Sequence, residues 1–535
     1  MKSFLTALLL APLALHHPAA LAASKPNIIF ILADDLGIGN VSCYGSDNYR
    51  TPHIDKLAAT GTRFTQSFTG ALCGPSRALI MTGRYAFRNG SSNQDACMVM
   101  PKQELQLGRV FKAAGYTTAA IGKWGQLPGD PDEAGFDDYL RFNGSGLYWN
   151  QKTKKSEGYR LNGKEMKLGA QEYMPDLMHD RVLAFLRANQ SKPFFLYYSM
   201  VHVHGDIQPT PDSAPDSKDL FGDNIRYMDK LVGKLVAELE ALRLRDNTLL
   251  IFMGDNGTGK GQDKLSTIGG RNLSGVKGSM LECGGLVPTI ANWPGKTPAG
   301  KVSADLIDST DFIPTFAELA GGKLPAGTIF DGRSFAPQLL GQSGPKREWI
   351  YNQLAAMWYV REAGWKLNEK GELYDMSGAP FTERLVAASA DTEVSKAARI
   401  RLAAVLTKLN PAGGIPDSGD GSGRHASKAE KRKTKVEVPA KAAPSAPPAP
   451  PAPASVPAPV VKPAVAPDPA VAERAAKFDK LDREKAGKLT REQYTTRQSD
   501  PAAAAIRFDR MDTNLDGVVT REEYINNGGK SAKSK

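Results

Sequence analysis

Cysteine, histidine and long apolar runs are all scarce in this chain of 535 residues, and each shortage closes off a class of explanation. Four cysteines, Cys43, Cys73, Cys97 and Cys283, are too few for a disulfide framework in a chain of this length. If one of them is consumed chemically, three are left, and the sequence does not give their pairing. Seven histidines leave few groups able to move a proton near neutral pH. Between residues 25 and 409 they are His53, His179, His202 and His204. Beyond the N-terminus no stretch is long and apolar enough to cross a bilayer. Negative charge is also short, which leaves a net charge of +11. Much of that excess lies between Lys428 and Lys435, in a segment without hydrophobic pattern. It reads as a solvated or envelope-facing tail, and nucleic acid is not expected as a partner.

The N-terminus reads as a signal peptide over residues 1–23. Lys2 is followed by an apolar run from Phe4 to Leu15 and by small residues at Ala20-Leu21-Ala22. Export machinery would then be a partner, and the expected location is periplasmic or extracellular. Residues 24–345 read as an α/β catalytic domain. Asn27–Leu32, Thr117–Ile121, Pro193–Tyr198 and Thr248–Met253 are short β-rich runs, each ending in polar residues. Ile54–Ala59, Leu105–Ala114, Asp223–Leu242 and Asp311–Leu319 have helical spacing. The alternation predicts a sheet covered on both faces by helices, with ligands beyond the carboxyl ends of the strands. Residues 346–410 read as a small C-terminal α+β subdomain, with turns at Gly364 and Gly371. Residues 411–470 are rich in Ala and Pro and read as a disordered, extended linker.

A weak repeat follows over residues 471–529. Phe478-Asp479-Lys480-Leu481-Asp482 and Phe508-Asp509-Arg510-Met511-Asp512 open two similar segments. The second continues with Asp512, Asn514, Asp516, Val518, Thr520 and Glu523, and with Gly517 for the sharp turn. These fall at the oxygen-ligand positions of an EF-hand loop, Val518 by its backbone carbonyl. The first copy is degraded, with Ala486 and Gln493 where ligands are needed. An EF-hand pair with one working Ca2+ site is expected.

The chemistry centres on Cys73-Gly74-Pro75-Ser76-Arg77 and the Thr82-Gly83-Arg84 that follows. This stretch resembles the motif of the formylglycine-dependent sulfatases. The resemblance extends over about Lys25–Leu409 through Asp34-Asp35, Thr51-Pro52-His53-Ile54-Asp55, Gly122-Lys123-Trp124, Gly254-Asp255-Asn256-Gly257, Val276-Lys277-Gly278 and Val287-Pro288. It implies an alkaline-phosphatase-like fold and a Cys73 converted to formylglycine by a separate maturation enzyme. Asp34, Asp35, Asp255 and Asn256 form an all-oxygen ligand set that suits Ca2+ better than a transition metal, and residue 73 joins it. By the same resemblance, Asp255 takes the nucleophile's proton and Arg77 contacts residue 73. Lys123 and Lys277 hold sulfate oxygens, and His204 is the leaving-group acid, with His202 in reserve.

Two departures stand out. Gly125 occupies a place where many relatives carry a histidine, and the segment Asn143–Trp149 lacks one found in some relatives. The base that would release sulfate is therefore unassigned. The expected substrate is a sulfate ester, foremost a sulfated carbohydrate. A phosphatase or phosphonate monoester hydrolase of the same superfamily, or a decayed glycan-binding protein, remain as alternatives. His53 reads as structural and His179 as lying on a solvated helix face.

Overall fold

The computed structural model describes residues 25–142, 144–150 and 158–417, then 478–482, 486–496 and scattered positions from 504 to 525. The expected signal peptide, the linker from 418 to 470, the basic stretch Lys428–Lys435, and Asn514, Asp516 and Glu523 lie outside the described residues. The chain separates into two compact units, Met1–Pro439 and Ala440–Lys535.

The first unit is built on a ten-stranded mixed sheet. Its strands are β1 (Asn27–Ala33), β2 (Thr62–Phe68), β3 (Thr117–Gly122), β4 (Asp138–Phe142), β5 (Gly158–Leu161), β6 (Lys164–Lys167), β7 (Phe194–Ser199), β8 (Thr248–Gly254), β9 (Thr289–Asn292) and β10 (Lys301–Asp308). Their spatial order is β10-β2-β9-β8-β1-β7-β3-β4-β5-β6. The central block β8-β1-β7-β3 is parallel throughout. Strand β1 is buried at every position, the mark of a strand with helices on both faces.

Alternate residues of β1 feed opposite cores, as the two-residue period requires. Ile29 and Ile31 join Met178, Val182, Ile225 and Leu231 from α4 (Met174–Ala188) and α5 (Leu220–Ala241), beside Ile54 and Leu57 of α1 (Pro52–Ala59). Ile28 and Phe30 join Ile80, Phe111 and Phe316 from α2 (Cys73–Thr82), α3 (Leu107–Ala113) and α6 (Phe312–Leu319). Each fully buried side chain of this kind contributes about 1.5–3 kcal/mol before entropy is counted.

The register aligns the strand ends. Ala33 pairs with Gly254, Leu32 with Ser199, and Gly122 with Ser199. The residues that follow, Asp34, Asp255 and Lys123, therefore leave the sheet at one level. Asp255 N–H donates to Ala33 O at 2.8 Å, and Lys123 N–H donates to Ser199 O at 2.8 Å.

A second sheet is an antiparallel meander of β11 (Ile350–Leu354), β12 (Met357–Arg361), β13 (Trp365–Asn368), β14 (Leu373–Asp375) and β15 (Arg384–Val386). Helix α7 (Glu393–Leu409) contributes Leu402 to a small core shared with Tyr85, Phe87, Tyr351 and Val360. The turns at Gly364 and Gly371 fall between its strands, as the sequence suggests. The packed chain does not stop at 410. Ile415 N–H donates to Phe87 O at 2.7 Å, and Asp417 Oδ1 accepts from Ser92 Oγ at 2.6 Å and from Asn93.

In the second unit two three-residue strands, Lys488–Thr490 and Val518–Thr520, pair antiparallel with Leu489 opposite Val519. Phe478, Leu489, Tyr494, Phe508, Met511, Val519 and Tyr524 form its core. Both Asp482 oxygens accept backbone N–H groups, from Ala486 at 3.0 Å and Gly487 at 2.6 Å. Asp512 accepts from Gly517 N–H at 3.0 Å.

Candidate active site

Helix α2 begins at Cys73 and is buried over its whole length. Its first turn aims residue 73 at the strand ends, and Arg77 follows one turn later on the same face. The Arg77 guanidinium is buried and spans the site. Nη2 donates to Asp255 Oδ2 at 2.7 Å and lies 3.8 Å from Asp34 Oδ2. Nη1 donates to Lys123 O at 3.1 Å and to Ser199 Oγ. A rigid, permanently charged fork suits such a place, because it holds several acceptors in fixed geometry.

Three carboxylates converge. Asp34, Asp35 and Asp255 each offer an oxygen within 4.8 Å of the others, all buried, and Asp34, Cys73 and His204 form a second such group. Asp35 takes a left-handed backbone (φ 59°), which turns its side chain back toward the first group. Its N–H donates to Asp255 Oδ1 at 3.0 Å, and its Oδ1 accepts from Asn256 Nδ2 at 2.8 Å. Lys123 pairs with Asp34, and Lys277 with Asp35 at 2.7 Å.

The electrostatics show an unbalanced cluster. Burial, then the neighbouring Asp255, push the Asp34 carboxyl up to about 6. Burial and Asp34 raise Asp35 as well. Burial alone would raise Asp255, yet Arg77, Lys123 and Lys277 together hold it below the usual carboxylate range. Asp34 Oδ1 and Asn256 Oδ1 are buried without a hydrogen-bond partner among the described residues. Buried polar atoms normally find partners. Two orphaned acceptors beside three packed carboxylates fit a hard cation with oxygen ligands.

The two candidate acids separate clearly. His202 is sealed among Tyr148, Tyr173 and Tyr227, with Tyr173 OH 3.2 Å from its Nε2, and burial lowers it to about 3. Its contribution is the carbonyl, which accepts from Asp34 N–H at 2.7 Å. His204 reaches the site, and its Nδ1 has no partner among the described residues. Burial first, then Lys123, depress it to about 3. His179, expected on a solvated face, is buried at 2% exposure against Tyr198, and burial holds it near 4. His53 starts α1, with its N–H on Asp229 at 3.1 Å.

Four groups escape a reading of the sequence. Ser199 and Tyr197 meet the Arg77 guanidinium from β7. Gln94 Nε2 donates to Cys73 Sγ at 3.0 Å, and Gln126 Oε1 stands 3.7 Å from the same sulfur. Ser199 closes a strand, which is a weak signal; the two glutamines have none.

Comparison with known proteins agrees with this arrangement. Residues 26–322 match the sulfatase family. The chain is 29% identical to human arylsulfatase D over 461 residues, covering 68% of this chain and 78% of that protein. It is 28% identical to the N-acetylgalactosamine-6-O-sulfatase of Bacteroides thetaiotaomicron, covering 68% and 90%. The crystal structure of Ps i-CgsB in complex with k-i-k-neocarrahexaose superposes with a TM-score of 0.66 at 28% identity, covering 77% of this chain and 97% of that one. The alkaline-phosphatase-like α/β sheet, the buried acidic cluster facing residue 73 and these likenesses meet in one conclusion: the chain belongs to the sulfatase family and is a sulfuric ester hydrolase.

Proposed function

We propose that the protein is an exported sulfatase that removes sulfate from a sulfated carbohydrate. The observation that carries this reading is the meeting of residue 73, Arg77 and three buried carboxylates at the end of four parallel strands. The likeness to a structure in complex with k-i-k-neocarrahexaose and to an N-acetylgalactosamine-6-O-sulfatase supports the carbohydrate class. The reading includes conversion of Cys73 to formylglycine by a maturation enzyme, whose hydrated aldehyde supplies an oxygen nucleophile and a route for expelling sulfate. It also includes Ca2+ held by Asp34, Asp35, Asp255 and Asn256, with residue 73 beside it. When bound there, such a cation would supply positive charge to a sulfate oxygen and favour an ionised nucleophile.

The chain's own residues then divide the work. Asp255, kept ionised by Arg77, accepts the proton of the attacking group. Arg77 fixes residue 73 and the carboxylates in one geometry. Lys123 and Lys277 bring two positive charges that complement a sulfate monoester. His204 faces the same space and gives its proton to the leaving oxygen. Without substrate the burial and Lys123 keep it neutral, and the negative charge of an arriving ester raises its basicity. In the second unit Asp512, Asn514, Asp516, Val518, Thr520 and Glu523 bind a separate Ca2+, and the basic tail contacts anionic envelope surfaces. The apolar N-terminal run with its small-residue end supports export.

The deciding measurement is the mass of the peptide holding Cys73, paired with sulfate release. A formylglycine mass in active protein, and loss of sulfate release in a folded Cys73→Ala variant, are expected. Plain cysteine in fully active protein overturns the mechanism.

A further inference from the structure

The charged groups are not the only neighbours of residue 73. Two uncharged amides also contact its sulfur, both buried, at 7% exposure each. Each amide makes one further hydrogen bond away from the sulfur. Gln94 Oε1 accepts from Gly74 N–H at 2.8 Å, so its Nε2 must face the sulfur, which it reaches at 3.0 Å. Gln126 Nε2 donates to Ser145 Oγ at 2.7 Å, and its Oε1 faces the sulfur at 3.7 Å. Side chain 73 therefore receives one hydrogen bond and can give one, along two set directions. A side chain with both its donor and its acceptor directions engaged is confined to one rotamer.

Gln126 holds this position at a cost. Its φ is +70°, a left-handed conformation that glycine adopts freely and glutamine does not. Gly125, just before it, has no room for a side chain, since a Cβ there meets Gly144 O at 2.6 Å. The backbone is bent so that residue 126, not 125, looks at residue 73. Strain at a functional group persists where the surroundings impose it and the side chain is needed.

We infer that Gln94 and Gln126 form a neutral amide clamp on side chain 73, with Gln126 a further catalytic residue that accepts a hydrogen bond from the reacting group. The sulfatase reading supplies the reaction, so the inference rests on it for turnover; the clamp itself concerns only contacts of residue 73. Because neither amide titrates, the pair does not take a proton from residue 73. It orients that group toward the carboxylates, and the proton leaves by Asp255.

The test uses full-length protein with Gln126→Gly, Gln126→Asn, Gln126→Glu and Gln94→Ala. In protein made without the maturation enzyme, the Cys73 thiol is titrated with methyl methanethiosulfonate and followed by intact mass. Removing the acceptor in Gln126→Gly and Gln126→Asn should speed the reaction at least several-fold, whereas Gln94→Ala, which loses the N–H donated to the sulfur, should slow it. Gln126→Glu should slow it, because a carboxylate beside the sulfur disfavours the thiolate. In matured protein, kcat should fall about tenfold with KM changed little, the loss of one hydrogen bond made to the reacting group. Gln126→Gly should melt at or above the wild-type temperature, since the strained residue becomes glycine. Gln126→Asn, which also tolerates this backbone, serves as the second folded variant. Equal thiol rates in all four variants, or a kcat within twofold of wild type, overturns the clamp. If matured wild-type protein releases no sulfate from any ester while the thiol rates shift as described, the sulfatase reading fails and the clamp stands.

Discussion

Removing the Glu282 carboxylate should damage the fold severely. Its side chain is fully buried and bidentate on Arg361, with Nε–Oε2 2.9 Å and Nη2–Oε1 2.6 Å. The pair joins the loop that carries Lys277 to β12 of the second sheet. Its neighbours tighten it: Glu282 N–H donates to Glu383 at 2.5 Å, and Glu383 pairs with the buried Lys366. Glu282→Leu leaves a guanidinium that cannot lose its proton, 1% exposed, with one carbonyl contact to Glu362 at 3.1 Å and the Phe68 ring at 4.9 Å. An orphaned buried charge of this kind costs about 3–5 kcal/mol. The double variant Glu282→Leu with Arg361→Met removes both charges and should return to within about 1 kcal/mol of wild type, because the intact pair gains little over a hydrophobic replacement. Urea unfolding followed by tryptophan fluorescence reads both. With m of about 3 kcal/mol/M or more for a domain of this size, the single variant should lower the midpoint by about 1 M. The reasoning is refuted if the single variant shifts the midpoint by less than about 0.3 M, or if the double variant is as unstable as the single.

Three further outcomes are expected. Asp255→Asn should lower metal content and sulfate release together, measured by elemental analysis and turnover; lost turnover at full metal content contradicts a ligand role. His179, held near 4 by burial and then by Lys234, binds its proton later than the unfolded chain does at 6.5. Stability should therefore fall as pH drops from 6.5 toward 4, by at most about 3 kcal/mol from this group. His179→Gln should flatten that limb of a plot of urea midpoint against pH, and an unchanged slope counts against it. Truncation after Asp417 should leave turnover unchanged, whereas truncation after Leu409 discards the bonds to Phe87, Ser92 and Asn93, at about 1 kcal/mol each. Calorimetry and turnover on the two shortened proteins separate them, and identical behaviour would show that residues 411–417 hold nothing.

The four central strands were legible because they are buried on both faces, so their apolar runs are continuous, as in Asn27–Ala33 and Thr248–Gly254. The polar residues after them mark strand ends, which is why Asp34, Asp35, Asp255 and Asn256 could be grouped before any geometry was known. Strand β2, reading Thr-Arg-Phe-Thr-Gln-Ser-Phe, mixes buried and half-buried positions and lacks that run. Helix α2 is buried all round, so it has no amphipathic period to detect. His179 was misplaced because spacing alone cannot tell a helix face on solvent from one against Tyr198. Gln126 depends on a single positive φ, and Gln94 on a helix of six residues after Asn93. Neither leaves a trace in composition or periodicity.

Residue 73 is nearly covered in the finished fold, at 1% exposure, where the start of α2 meets the strand ends. A small ester or thiol reagent needs only a narrow approach, but a protein that alters the backbone segment around it has to arrive before the surrounding chain closes. That closure depends on late sequence: Asp417 grips Ser92 and Asn93, the residues just ahead of Gln94, which itself touches the sulfur. At about 5–20 residues per second, the roughly 340 residues between Cys73 and Asp417 take about 20–70 s to synthesise. Nascent chains therefore present the Cys73 segment for tens of seconds before the last clasp can form. A slower clasp, for example in an Asp417→Ala chain, would lengthen that interval, so a weaker fold could emerge from the cell more completely modified.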